Sequence, residues 1–208
     1  MTNRGGGFLW QGGLFMILAY AIILLVIVAL ILRRDLSAIG RVSYCGGWKL
    51  VGLVVGLFVL QAVLIIYVPA NTFLQIAILV LSQIALVFLV LLNHHVPGAK
   101  IFAVGIILNI AVMVANGGLM PITPERYQYV HPDRVVEAHT KPPSSKNIIL
   151  PRDETRLWVL SDIIPVPVPW RRYAISIGDV LLMVGAAQFI FVTTGRQSPQ
   201  NLVLEKDV

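Results

Sequence analysis

Five stretches of this chain are apolar for about the length a bilayer requires, and nothing else in the sequence constrains the fold as tightly. They cover residues 14–32, 50–68, 73–92, 101–115 and 175–192. Crossing roughly 30 Å of hydrocarbon takes about 20 apolar residues in a helix. Each stretch is expected to be helical, because a backbone in lipid must satisfy its own N–H and C=O groups. The runs are continuous and do not alternate with period two, which excludes a transmembrane barrel. The expected fold class is therefore all-α: a polytopic bundle of five transmembrane helices.

The charge content agrees. Charged residues make up 12% of the 208 and hydrophobic ones 57%, whereas a soluble domain carries roughly 25% charged residues. The net charge of +6 fits Lys and Arg gathered in cytoplasmic loops. It does not form a basic stripe with interleaved aromatics, so nucleic acid is not an expected partner. Membrane lipids are. The first apolar run is too long for a signal-peptide core and has no small-x-small cleavage site before Arg33 and Arg34, so it reads as a retained helix.

Loop charges set the orientation. The loop after the first run holds Arg33, Arg34, Arg41 and Lys49 against Asp35, the turn at Lys100 adds one positive charge, and the 69–72 turn has none. These place the N-terminus outside and the C-terminus in the cytoplasm, with Arg171 and Arg172 counting against that choice. The organisation expected is a four-helix region over 1–116, an extracytoplasmic lobe over 117–173, a fifth helix over 174–194 and a tail over 195–208. The lobe carries Pro121, Pro124, Pro142, Pro143, Pro151, Pro165, Pro167 and Pro169. That density of proline forbids long helices and central strands. Residues 156–164 are expected to form a short strand or an interfacial helix.

Polar groups among the apolar runs are the best pointers to function, since lipid makes them costly. Asp179 opens the last run in Ser176-Ile177-Gly178-Asp179, and Asp162 stands alone in Leu160-Ser161-Asp162-Ile163-Ile164-Pro165. If both meet at one membrane face, their mutual repulsion separates their titrations, as in an acid dyad that activates water. The plainer reading of Asp179 is a cap at a helix N-terminus. Asn109 and Asn116, seven residues apart, share one helical face, and Asn116-Gly117-Gly118 ends the run with glycines suited to a left-handed cap. A substrate pocket would be lined by Asn109, Asn116, Gly117, Gly118 and Ser176. Gln61, Gln75, Ser82 and Gln83 read as hydrogen-bonding glue between helices. Gly52 and Gly56 allow a close helix neighbour, within the chain or in a partner. His94 and His95 are adjacent, and His131 and His139 lack a third ligand, so no metal or other cofactor is expected. Cys45, the only cysteine, excludes an internal disulfide.

Taken whole, residues 10–195 resemble a family of small bacterial multi-pass membrane proteins known only as a domain of unknown function. The residues that carry the resemblance are Ala115-Asn116-Gly117-Gly118-Leu119-Met120-Pro121, Ser161-Asp162-Ile163-Ile164-Pro165 and Ser176-Ile177-Gly178-Asp179. It implies an inner-membrane location and no particular activity. A shorter stretch, Val159 to Ile164 with Ile175 to Asp179 and Val184-Gly185-Ala186, is similar to the end of lipoprotein signal peptidase. That similarity implies Asp162 and Asp179 as catalytic aspartates, with Gly117-Gly118 echoing a Gly-Gly segment. The chain lacks that family's Asn-x-x-Asp-Arg motif, has Ser176 where its Phe-Asn motif has Asn, and has an extra span. The functional expectation is a component or accessory of a membrane process. The alternatives are an aspartyl hydrolase using Asp162 and Asp179, and a small solute transporter with Gln75, Asn109, Asn116 and Asp179 along its path.

Overall fold

The computed structural model describes residues 13–67, 72–142, 145–169 and 171–195. Expectations about the 69–71 turn, Pro143 and the charges of the tail from Arg196 onward lie outside the described residues. The chain is mainly helical. Its long helices are α1 (Gly13–Ile31), α2 (Gly47–Tyr67), α3 (Thr72–Leu92), α4 (Ala99–Ala115) and α6 (Ile177–Thr193), with a short α5 (Pro124–Val130) between the last two. Each long helix falls on one of the five apolar runs. The segments Gly47–Leu64 and Phe73–Leu92 are long and apolar enough to cross a membrane, and Ile17–Ile31, α4 and α6 are shorter apolar helices.

The order in space differs from the order in sequence. Neighbouring pairs are α1 with α6, α6 with α4, α4 with α3, and α3 with α2. The last helix is thus inserted between the first and the fourth. The two ends of α1 and α6 are tied directly: the Asp35 N–H donates to the Thr194 carbonyl at 3.0 Å, and Arg34 Nη1 donates to the Phe191 carbonyl at 3.2 Å. Both helices therefore run the same way. At that same end Asn93 joins two loops, its Oδ1 accepting from the Cys45 N–H at 2.8 Å and its Nδ2 donating to the Cys45 carbonyl at 3.3 Å.

The α4–α6 pair owes its closeness to glycine. A Cβ on Gly105 would lie 2.6 Å from the Gly178 carbonyl oxygen, and one on Gly98 would lie 2.1 Å from the Gly185 carbonyl oxygen. Gly98 and Gly105 are seven residues apart, as are Gly178 and Gly185, so one antiparallel seam brings all four to the interface. Where the sequence pointed to Gly52 and Gly56 for close packing, both are exposed and a Cβ added to either would meet nothing within 4 Å. Within the described residues, that contact is made by the other glycines.

The region between α4 and α6 corrects the all-α expectation. It contains β1 (Met120–Ile122) paired in parallel with β2 (Asn147–Ile149), and β3 (Ile164–Val168) paired antiparallel with β4 (Arg171–Ile175). Proline permits this because the sheets have only two strands each. Pro165 and Pro167 alternate with Ile164, Val166 and Val168, so both missing N–H groups fall on positions facing away from β4. Residues 156–164 form neither of the expected elements. They hold a 3-10 turn, Trp158–Leu160, and only the start of β3. Tyr173 and Ile175 pack on Ile17 of α1 together with Ile164, Val166 and Val168, which seats the β3–β4 hairpin on the start of the bundle.

Candidate functional site: two buried aspartates at the lobe–helix junction

Asp179 is fully buried at the start of α6. Ser176 is the N-cap: its Oγ accepts from the Asp179 N–H at 3.0 Å, while Asp179 Oδ2 accepts from the Ser176 N–H at 3.0 Å. This reciprocal capping box satisfies two donors that every helix start leaves open. Asn109 of α4 closes the circuit. Its Nδ2 donates to Asp179 Oδ1 at 2.9 Å, and its Oδ1 accepts from Ser176 Oγ at 2.8 Å. Four hydrogen bonds thereby join three buried side chains on two helices. Gly178 makes room for the ring, since a Cβ there would lie 2.1 Å from Asn109 Oδ1. Both carboxylate oxygens of Asp179 have a donor, so this group is held as a cap and a helix–helix clasp.

Asp162 is buried too, but its environment is incomplete. Asn147 Nδ2 donates to Oδ2 at 2.7 Å, whereas Oδ1 is buried without a hydrogen-bond partner among the described residues. The position is fixed by backbone: the Asp162 N–H donates to the Pro121 carbonyl at 3.2 Å, and the β1–β2 pairing carries Asn147 alongside Met120. Burial pushes the Asp162 carboxyl up to about 6. Lys146 favours the charged form, Asp179 opposes it, and the bond from Asn147 favours it again. The charge of Asp179 thus acts on Asp162, and their hydrogen bonds give the two carboxyls different surroundings. A carboxyl that titrates near neutrality can carry a proton at physiological pH; a fully engaged one is a structural anchor.

The remaining pocket candidates divide in the same manner. Asn116 does not reach the aspartates. Its Nδ2 donates to the carbonyls of Val112 and Arg156 at 2.7 and 2.8 Å, and its Oδ1 accepts from the Arg156 N–H at 3.0 Å. It thereby pins the lobe to the end of α4. Gly117 and Gly118 adopt positive φ of 78° and 90°, and the Gly118 N–H donates to the Met113 carbonyl at 2.8 Å. This is the left-handed glycine cap that ends a helix. Farther along, Ser82 Oγ donates to Gln61 Oε1 at 2.7 Å, joining α3 to α2. Asn147 was missed by sequence reasoning because its role depends on a parallel pairing between strands of three residues, for which a chain rich in proline gives no local signal. The glycine seam did leave a signal, the two seven-residue spacings, but its halves lie about 80 residues apart in sequence.

With this geometry in hand, comparison with known proteins places the chain. The model of a family of unknown function, DUF5317, matches residues 48–191. The chain belongs to this family. The match runs from the start of α2 almost to the end of α6 and so takes in the glycine seam, both aspartates and the whole lobe. An uncharacterized protein of Thermotoga maritima is 32% identical over 112 residues, covering 53% of this chain and 60% of that relative. The chain therefore aligns with less than two thirds of that relative's length. No solved structure matches.

Proposed function

We propose that this DUF5317 protein is a bacterial inner-membrane protein that crosses the bilayer five times and serves as a component or accessory of a membrane process. The observation that carries the reading is the inverted arrangement of its helices. Their outer faces hold large apolar side chains, such as Leu24, Leu53, Phe73 and Ile84, while Gln61, Gln75, Ser82, Asn109 and Asp179 are buried between helices. Water as the surrounding solvent would favour the opposite distribution. Arg33, Arg34, Arg41, Lys49 and Lys100 lie toward the end where α1, α3 and α6 finish, which supports that end as cytoplasmic. The lobe is then extracytoplasmic. Extraction of membranes at alkaline pH tests the reading: the full chain stays in the bilayer pellet if it spans, and release into the supernatant would exclude it.

A second reading, an aspartyl hydrolase, is supported by the elevated carboxyl of Asp162, whose Oδ1 has no hydrogen-bond partner among the described residues and which feels the charge of Asp179. It requires Asp179 to exchange one of its donors for a catalytic water. Replacing each aspartate by Asn and following lipoprotein processing tests this. Loss of processing by both variants, with folding retained, supports it; unchanged processing overturns it. The transport reading has less support, because the polar side chains Gln61, Ser82, Asn109 and Asp179 hydrogen-bond one another across helix interfaces.

A further inference from the structure

Toward the end of the bundle opposite the lobe, a groove of about 300 Å³ opens among four helices. It is lined by the start of α2, the end of α3, the start of α4 and α6 from Gly185 to Phe189. Along the bundle α2 packs on α3 and α6 packs on α4, and the groove is the space that Val51 of α2 and Ala186 of α6 both border. Gly98 and Gly185, which meet in the glycine seam, line it too and add no side-chain bulk there. Its volume is at the low end of those that take small ligands.

The wall is nearly all hydrocarbon. Tyr44, Trp48, Phe102 and Phe189 supply aromatic rings, the first two set edge to face with centroids 5.0 Å apart. Asn93 lines the groove as well, but its amide is engaged. Its Oδ1 accepts from the Cys45 N–H at 2.8 Å, and its Nδ2 donates to the Cys45 and Leu89 carbonyls at 3.3 and 2.8 Å. The other polar side-chain atoms of the lining are the Tyr44 hydroxyl and the Trp48 indole N–H, at and before the first turn of α2. Rings with one polar edge suit a membrane–water boundary. Lys49 follows Trp48 and Lys100 follows Ala99, and both lysines are exposed. Neither forms an ion pair among the described residues; the pairs present are Arg41–Asp35 and His139–Glu154. This end of the bundle, with Arg33, Arg34, Arg41, Lys49 and Lys100 against Asp35, therefore carries an excess of positive charge.

We infer that this groove holds one acyl chain of an anionic phospholipid from the cytoplasmic leaflet, with the headgroup at the basic end of the bundle. The inference rests on the membrane reading above. An empty groove forfeits the dispersion contacts of its lining, and water finds few partners along an apolar wall. A chain from the surrounding lipid meets both conditions. The excess of Lys and Arg selects the headgroup, since basic sites between helices on the cytoplasmic side suit anionic lipids.

The test uses the full chain in neutral detergent, incubated with equal amounts of phosphatidylcholine and phosphatidylglycerol, and native mass spectrometry reads the lipid that stays bound. Selective retention of phosphatidylglycerol is expected. Val51→Phe and Ala186→Phe, which fill the groove from α2 and from α6, should lose the bound lipid at an unchanged melting temperature. Leu53→Phe, on exposed surface outside the groove, should keep it. Lys49→Gln combined with Lys100→Gln should cut the preference for phosphatidylglycerol by roughly tenfold or more. Retention that survives a filled groove, an equal loss in Leu53→Phe, or no preference between the two lipids would overturn the inference. Alkaline extraction of membranes holding the wild-type chain separates the two readings. A chain that stays in the pellet yet retains no lipid in detergent removes the groove alone, whereas release into the supernatant removes the membrane reading and the groove with it.

Discussion

The α4–α6 pair and the α2–α3 hairpin are built from equally apolar helices, yet they solve association differently. Between α4 and α6 the backbones nearly touch through Gly98, Gly105, Gly178 and Gly185, and a ring of hydrogen bonds among Asn109, Ser176 and Asp179 locks one end. Between α2 and α3 the polar links include the Ser82–Gln61 bond and a bond of 3.3 Å from Gln75 Nε2 to the Leu64 carbonyl, and the α2 glycines face outward. On the proposed membrane reading, helices in lipid have no hydrophobic drive toward one another, so close packing and polar pairing must supply the attraction. The first pair uses both strongly and carries the lobe on its ends. The hairpin uses them sparingly and leaves an apolar face uncovered. What differs is where the small and polar residues sit, not how hydrophobic the helices are.

The sharpest way to break this contrast is a side chain in the seam. Gly178→Val places atoms where Asn109 Oδ1 and the Gly105 carbonyl already stand, and the expected result is loss of monodisperse folded protein in detergent. Gly56→Val in α2 should leave yield and melting temperature nearly unchanged. A next test removes the clasp. Asp179→Ala leaves the Asn109 amide and the Ser176 N–H without acceptors, at a cost of about 3 kcal/mol when a cap and buried donors are lost together. Denaturation of the purified protein would measure it.

The third test is the pH dependence. Asp162 stands at about 6 in the fold against an ordinary value of 3.8, so the folded state holds this proton more tightly than the unfolded chain. Its contribution to stability is full below about pH 4 and is lost as pH rises through about 6, a change of roughly 3 kcal/mol at most. Asp162→Asn should flatten that part of the stability profile; an unaltered profile would remove Asp162 as its source. Smallest is Ser82→Ala in the hairpin, expected to cost about 0.6 kcal/mol, the average for such bonds between membrane helices.

The helices were legible in the sequence because length and continuity of apolar runs suffice to define them. Asp179 was legible as well, since Ser176-x-x-Asp179 is a local capping pattern, and the structure supplies the partner, Asn109, that the plain cap reading lacked. Local spacing could not reveal the pairing of Asn147 with Asp162, which depends on two three-residue strands meeting across the lobe. The prolines were read as forbidding central strands, and Pro165 and Pro167 sit in a two-stranded sheet that has none. The Gly52/Gly56 pattern drew attention by its short spacing, while the working seam pairs glycines from two distant helices.

The bilayer and the side that the lobe faces decide most about this molecule, and the chain contains its own reporter. Cys45 is the only cysteine and is exposed in the loop between α1 and α2. A membrane-impermeant maleimide should label it in inverted vesicles and not in intact spheroplasts, with the reverse pattern for Cys45→Ser carrying Val135→Cys in the exposed part of the lobe. Labelling of Cys45 and of the lobe from the same side would contradict the five-span arrangement.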